Sequence, residues 1–71
     1  MIHLREDILK SQIAYYNGKI AKHNKNVEVY LTYPVVIGEH PDVMGAIESE
    51  LSEISKAREH IEVINHYFLN R

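Results

Sequence analysis

The sequence predicts an all-α fold, a two-helix antiparallel hairpin that self-associates into a dimeric four-helix bundle or a higher oligomer. Three observations support this fold class. Each half of the chain carries apolar residues at helical spacing, a proline-containing segment separates the halves, and the apolar residues exceed what one hairpin can cover. We expect residues 1–71 to form a single helical-hairpin domain.

The first helix is predicted over about residues 3–31. Its apolar series advances in steps of four and three, which keeps the side chains on one helical face. The series is Leu9, Ile13, Tyr16, Ile20, His23, Val27 and Tyr30. Gly18 costs about 1 kcal/mol relative to alanine in mid-helix, and either permits close approach of another helix or marks a kink. A strand or loop over residues 27–37 is the alternative there, since the stretch is rich in strand-favouring residues.

The connector is predicted over about residues 32–40, because the residue before Pro34 disfavours the helical conformation. The second helix is predicted over about residues 41–69, with Pro41 in its first turn and His40 as the cap. Its apolar series is Met44, Ile47, Leu51, Ile54, Ile61, Ile64 and Phe68. Arg58 and Asn65 interrupt this series, and polar residues at such positions often fix register or oligomeric state.

Charge supports antiparallel pairing of the two helices. If Tyr30 lies near Met44, paired residue numbers add to about 74. That register brings three lysines of the first helix beside three glutamates of the second: Lys19, Lys22 and Lys25, and Glu48, Glu50 and Glu53. Unlike charges then meet, although both runs could instead be solvated faces.

Self-association is expected because a chain of 71 residues has a small core. The sequence has no cysteine, so neither a disulfide nor a thiolate zinc site can stabilise it. Many apolar residues lie partly off the main series: Ile8, Tyr15, Val29, Leu31, Tyr33, Val35, Val36, Val63, Tyr67 and Leu69. A homo-oligomer is the simplest way to cover them.

Composition and motifs argue against several function classes. No stretch is apolar enough to span a membrane, and the first residues lack the order of a signal peptide. The absence of cysteine fits a reducing cytoplasm, which is the location we expect. The formal charge of −2 argues against nucleic-acid binding, which usually needs a clear basic excess. We expect no enzymatic activity, no catalytic residues and no cofactor, because no nucleophile arrangement or phosphate loop occurs. The five histidines lack metal-binding spacing, which leaves only a metal site across an oligomer axis open.

The segment at residues 38–42 is the first candidate binding site. Glu39, His40 and Asp42 place carboxylates and an imidazole beside the start of a helix, which would suit a polar recognition tip. The structural interpretation is a connector that turns the chain and caps the second helix. The two interpretations are compatible.

A group of tyrosines and cations is the second candidate site. It comprises Tyr15, Tyr16, Tyr30 and Tyr33 with Lys22, Lys25 and Arg58. Such residues could stack on and pair with a small nucleotide-like ligand between subunits. The alternative is that the tyrosines are core aromatics with solvated hydroxyls.

Residues 23–31, His-Asn-Lys-Asn-Val-Glu-Val-Tyr-Leu, precede Pro34-Val35 and Gly38-Glu39-His40-Pro41-Asp42. With these residues the chain resembles short uncharacterised helical proteins of tailed bacteriophages. The resemblance implies a phage accessory protein in the bacterial host cytoplasm that binds and inhibits or modulates a host defence protein. The alternatives are a sponge that sequesters a nucleotide signal at subunit interfaces, or a structural virion component. The chain lacks the motifs expected of known helical-hairpin sponges.

Overall fold

The computed structural model describes residues 4–33 and 42–70. Two α-helices, α1 (Leu4–Thr32) and α2 (Val43–Val63), pack against each other, and a π-helical segment (Ile64–Leu69) continues α2. No strand occurs within these two ranges. The predicted all-α fold with two paired helices is therefore confirmed for the described residues, and the chain is helical through Thr32, where a strand was the alternative.

The helices are antiparallel. Side-chain contacts between them are Arg5 with Phe68, Tyr16 with His60, Lys19 with Glu53, and His23 with Glu50. Their residue numbers add to values between 72 and 76. The start of α1 and the π-helical segment thus form the open end of the hairpin, and the end of α1 and the start of α2 form the connector end.

The seam of α1 follows the predicted apolar series. All seven members, from Leu9 to Tyr30, are partly buried. They advance in steps of four and three, so they form one stripe facing α2.

The seam of α2 differs from the prediction. It follows a strict heptad through Val43, Ile47, Glu50, Ile54, Ala57, Ile61 and Ile64. Three predicted seam residues are largely exposed, namely Met44 at 84%, Leu51 at 50% and Phe68 at 49%. The prediction chose the apolar side chains and so placed Leu51 in the seam. Helical spacing instead places Glu50 and Ala57 there, each one residue before the predicted positions Leu51 and Arg58.

The start of α2 is capped by Asp42. Its Oδ1 accepts a hydrogen bond from the Gly45 backbone N–H at 2.8 Å. This is the arrangement that satisfies an unpaired N–H of the first helical turn. The α-helix therefore begins at Val43 with Asp42 as the cap, where the sequence placed the cap at His40. His40 and Pro41 lie outside the described residues.

The π-helical segment replaces the last turns of the predicted second helix. It ends at Asn70, whose φ of 57° is left-handed and whose N–H donates to the Asn65 carbonyl. Asparagine adopts this conformation more readily than most residues. The Arg5 guanidinium donates to the Phe68 carbonyl at 2.7 Å. That bond ties the start of α1 to the end of the second helical arm.

Gly18 does not interrupt α1, which runs continuously through it. A Cβ atom built at Gly18 would meet no heavy atom within 4 Å, apart from its own helix backbone and neighbours. Packing between the described parts of this chain therefore does not require a glycine at this position.

Candidate functional site

A polar cluster interrupts the apolar seam near the connector end. His23 Nδ1 donates to Glu50 Oε2 at 2.8 Å. The Asn26 amide donates to both oxygens of the same carboxylate at 3.0 and 3.1 Å. Heptad spacing places His23 and Glu50 in the seam, so only 12% and 15% of their side-chain surfaces are exposed.

These hydrogen bonds determine the charge state of Glu50. The bond from His23, followed by those from Asn26, lowers the pKa of the Glu50 carboxyl below its ordinary value of 4.5, and the charge of Lys22 adds to the effect. Glu50 is therefore ionised at neutral pH. Its oxygens accept from both partners, so this carboxylate is suited to holding the helices in register.

An aromatic cluster lies between this polar cluster and the open end. The ring centroids of Tyr15 and Tyr16 are 5.1 Å apart, and Tyr16 lies 4.8 Å from the ring of His60 on α2. His60 Nδ1 also donates to the Lys56 carbonyl at 2.6 Å. Lys19 reaches over Tyr15 at 5.8 Å and pairs with Glu53 at 3.9 Å. The cluster thus cross-links α1 and α2 through partly exposed side chains.

An apolar groove of about 510 Å³ runs along one side of the open end. Its α1 wall is formed by Ile8, Leu9, Gln12 and Tyr16. Its other wall is formed by Glu59, His60 and Val63 of α2 with Ile64 and Phe68 of the π-helical segment. We call this feature the open-end groove. Its polar side chains are Gln12, Tyr16, Glu59 and His60, and none of the lysines and arginines that the structure describes lines it. The groove therefore suits an apolar occupant better than an anion.

The residues predicted as binding candidates do not form one site. Tyr15 and Tyr16 lie together, and the charge of Lys22 helps to lower the pKa of Glu50. Tyr30 is partly buried in the α1 seam, and Asp42 caps α2. Arg58 is exposed and pairs with Glu62 on its own helix at 3.2 Å. Glu39 and His40 lie outside the described residues.

The lysines of α1 and the glutamates of α2 that were predicted to lie beside each other form ion pairs only in part. Lys19 meets Glu53, whereas Glu50 is taken up by His23 and Asn26. Among described residues, Lys22, Lys25 and Glu48 form no ion pair with one another or with a third partner. The sequence analysis did not identify the open-end groove or the Glu50 cluster. The cluster could have been predicted from the heptad spacing of α2, which passes through Glu50 and Ala57.

Exposed apolar side chains are the dominant surface feature. Ala57, at 3% exposure, is the only buried side chain among the described residues. Eleven large apolar residues are 41–84% exposed: Leu4, Ile8, Tyr15, Val29, Leu31, Tyr33, Met44, Leu51, Val63, Tyr67 and Phe68. This set includes seven of the ten residues that the sequence analysis identified as surplus; Leu69 is partly buried, and Val35 and Val36 lie outside the described residues.

Comparisons of this chain with protein-family models, curated proteins and solved structures find no match. In residues 4–33 and 42–70, no helix has the length and apolar character needed to cross a membrane. The same part of the chain contains no group of three or more histidine or carboxylate side chains placed to hold a metal ion.

Proposed function

We propose that this chain is a non-enzymatic protein-binding module that acts as an oligomer of helical hairpins. The observation that carries the proposal is the contrast, within residues 4–33 and 42–70, between one buried side chain and eleven exposed large apolar ones. Soluble monomers rarely expose apolar surface on this scale, and large exposed apolar patches mark interaction sites.

The exposed area is sufficient for a specific interface. Aromatic side chains bury about 150–250 Å² each and aliphatic ones less, so these eleven residues near half exposure present on the order of 1,000 Å². A standard interface buries about 800 Å² on each partner. Since roughly 60% of an interface is apolar, this surface is about what two such interfaces require, one for self-association and one for contact with another protein.

The surface proposed for the protein partner lies near the connector end. Met44 and Leu51 are seven residues apart on α2, so they share one side of that helix. Leu31 of α1 lies level with Met44 in the antiparallel register. We call Leu31, Met44 and Leu51 the connector-end patch. Met44 is the most exposed large apolar residue of the described chain, and its flexible thioether side chain adapts well to a protein surface.

The resemblance to short tailed-phage proteins gives this module a biological setting. In that setting it is a phage accessory protein in the bacterial cytoplasm, and its partner is a host defence protein. The proposal draws its physical support from the exposed connector-end patch and its phage context from the resemblance alone.

The test is a comparison of tagged wild-type, Met44→Asp and Tyr67→Asp proteins in bacterial lysate. Tyr67 is 70% exposed on the π-helical segment, so it is a matched control at the other end of the hairpin. Aspartate in the first turn of α2 suits the helix dipole, so Met44→Asp should not destabilise the fold. Proteins captured by each variant are quantified, and the strongest candidate is purified for calorimetric titration.

We expect the candidate to bind the wild type and Tyr67→Asp with similar Kd, and to bind Met44→Asp about tenfold or more weakly. Equal binding to all three would overturn the connector-end patch as the partner site. The absence of any protein captured above the tag control would overturn the protein-binding function.

A further inference from the structure

The open-end groove is not accounted for by the connector-end patch and lies at the other end of the hairpin. We infer that it is the contact between two copies of this chain, arranged so that α1 of each copy faces α2 of the other with both open ends together. This inference rests on the proposed oligomeric module and names the face through which it assembles.

The first argument is burial. Ile8, Val63 and Phe68 line the groove and remain 53%, 41% and 49% exposed in the single hairpin. Leu4 borders it together with Arg5 and is 63% exposed. A second hairpin laid over the groove removes the exposed parts of these side chains from water, which is the main favourable contribution to protein association. Because the same groove exists on both copies, a two-fold contact covers both at once.

The second argument is a line of residues along α1. Leu4, Ile8, Ser11, Tyr15 and Gly18 are separated by steps of four and three, so they form a second stripe on the side of α1 away from the seam, which meets the groove at Ile8. Gly18 is exposed, and a side chain there would meet open space in the hairpin. A mid-helix glycine is disfavoured relative to alanine, and its usual structural use is the close approach of another backbone. The stripe ends at the residue that allows such an approach.

The third argument, from charge, selects the helix pairing. Between residues 8 and 27, α1 carries four lysines and no acidic residue. Between residues 48 and 62, α2 carries four glutamates outside the seam, besides Glu50 within it, and one lysine and one arginine. Facing α1 to α1 would bring lysines together, whereas facing α1 to the partner's α2 brings unlike charges together. When the open ends of both hairpins lie at the same end of the dimer, the lysine-bearing segment of α1 runs alongside the glutamate-bearing segment of the partner's α2.

The experiment is sedimentation equilibrium of the wild type, Ile8→Glu and Leu51→Glu. Ile8 and Leu51 are 53% and 50% exposed, so the two substitutions place the same charge at equally exposed sites, one in the groove and one outside it. We expect Ile8→Glu to raise the dimer Kd about tenfold or more and Leu51→Glu to leave it within a few-fold of the wild type. A dimer that survives Ile8→Glu and dissociates with Leu51→Glu would overturn the inference.

Gly18→Ala keeps the test valid if Ile8→Glu disturbs the hairpin itself. Alanine favours the helix and meets no atom in the hairpin, so the far-ultraviolet circular dichroism should be retained or increased while the dimer Kd rises. An unchanged Kd in Gly18→Ala would contradict the close approach at this stripe.

Disulfide trapping tests the pairing, since the chain has no cysteine of its own. Tyr15→Cys and Glu59→Cys proteins are mixed and oxidised. We expect the mixed disulfide to exceed both homodisulfides, and dominance of the Tyr15→Cys homodisulfide would show α1 against α1 instead. Partner binding through Met44 is measured separately, so failure of this dimer and failure of the protein-binding function remain distinguishable.

Discussion

His23 and Glu50 face each other across the seam of the hairpin, with Nδ1 of the imidazole 2.8 Å from Oε2 of the carboxylate. Each occupies a heptad position that an apolar residue could fill. A directional contact at this level penalises registers in which the two residues are not opposite one another. We infer that this pair, with Asn26, sets the register of the two helices and adds less to the stability of the hairpin.

The first prediction concerns acid stability. The pKa of Glu50 is lowered in the folded protein, so the stabilisation that it provides is fully present above its ordinary value of 4.5. It is lost as the pH falls through the lowered pKa. We expect the Tm to fall over that acidic range in thermal melts followed by circular dichroism. Glu50→Gln should show a smaller fall over the same range, and an equally steep fall would contradict the assignment to Glu50.

The second prediction separates alignment from stability. Glu50→Leu alone leaves His23 facing a leucine, so we expect a lower Tm than in the wild type. His23→Leu with Glu50→Leu converts the pair into an apolar contact, which should restore the Tm or raise it above that of the wild type. Thermal melts of the two single variants and the double variant form the cycle. A double variant less stable than both single variants would show that the polar pair itself is required.

The architecture was largely predictable from the sequence, because helical spacing predicts two helices and the charges favour their antiparallel pairing. Side-chain roles on α2 were harder to predict. Glu50 and Ala57 lie in the seam, yet neither is a large apolar residue. A series chosen by apolar character therefore included Leu51 and omitted both of them. The π-helical segment was also missed, since residues 64–69 carry no sequence signal that distinguishes π from α. The open-end groove depends on both helices and on that segment, and so required the structure.

The third prediction concerns Ala57, which is 3% exposed where α2 meets α1. A leucine there adds volume at the closest-packed described position, and overpacking typically costs about 1–3 kcal/mol. Urea unfolding of Ala57→Leu should show this loss. Ser55→Leu is the control because Ser55 is exposed on the same helix, and it should change the free energy of unfolding much less. Equal effects would contradict the packing of Ala57 in the seam.

The fourth prediction concerns the cap of α2. Asp42→Ala removes the acceptor for the Gly45 N–H, and loss of such a cap costs about 1 kcal/mol. Asp42→Asn keeps a side-chain oxygen and should retain most of the stability. The free energies of unfolding of both variants, measured in urea, check this order. If the alanine and asparagine variants were equally destabilised, the cap would not be the cause.

The fifth prediction concerns Arg58, whose pair with Glu62 lies on the surface of one helix. Exposed pairs at this spacing contribute about 0.3–0.5 kcal/mol. Arg58→Ala should therefore leave the Tm nearly unchanged. A large loss of stability in thermal melts would mean that Arg58 makes a contact beyond Glu62, such as one with another subunit.

The central claim is that the hairpin is completed by other copies of itself. Native mass spectrometry of the purified wild-type protein, sprayed from a neutral volatile buffer, tests it most directly. We expect an intact mass of two or more chains, with no additional mass from a ligand. A monomer that retains its full helical circular dichroism would contradict the claim, because the single hairpin would then be stable with its apolar surface in water.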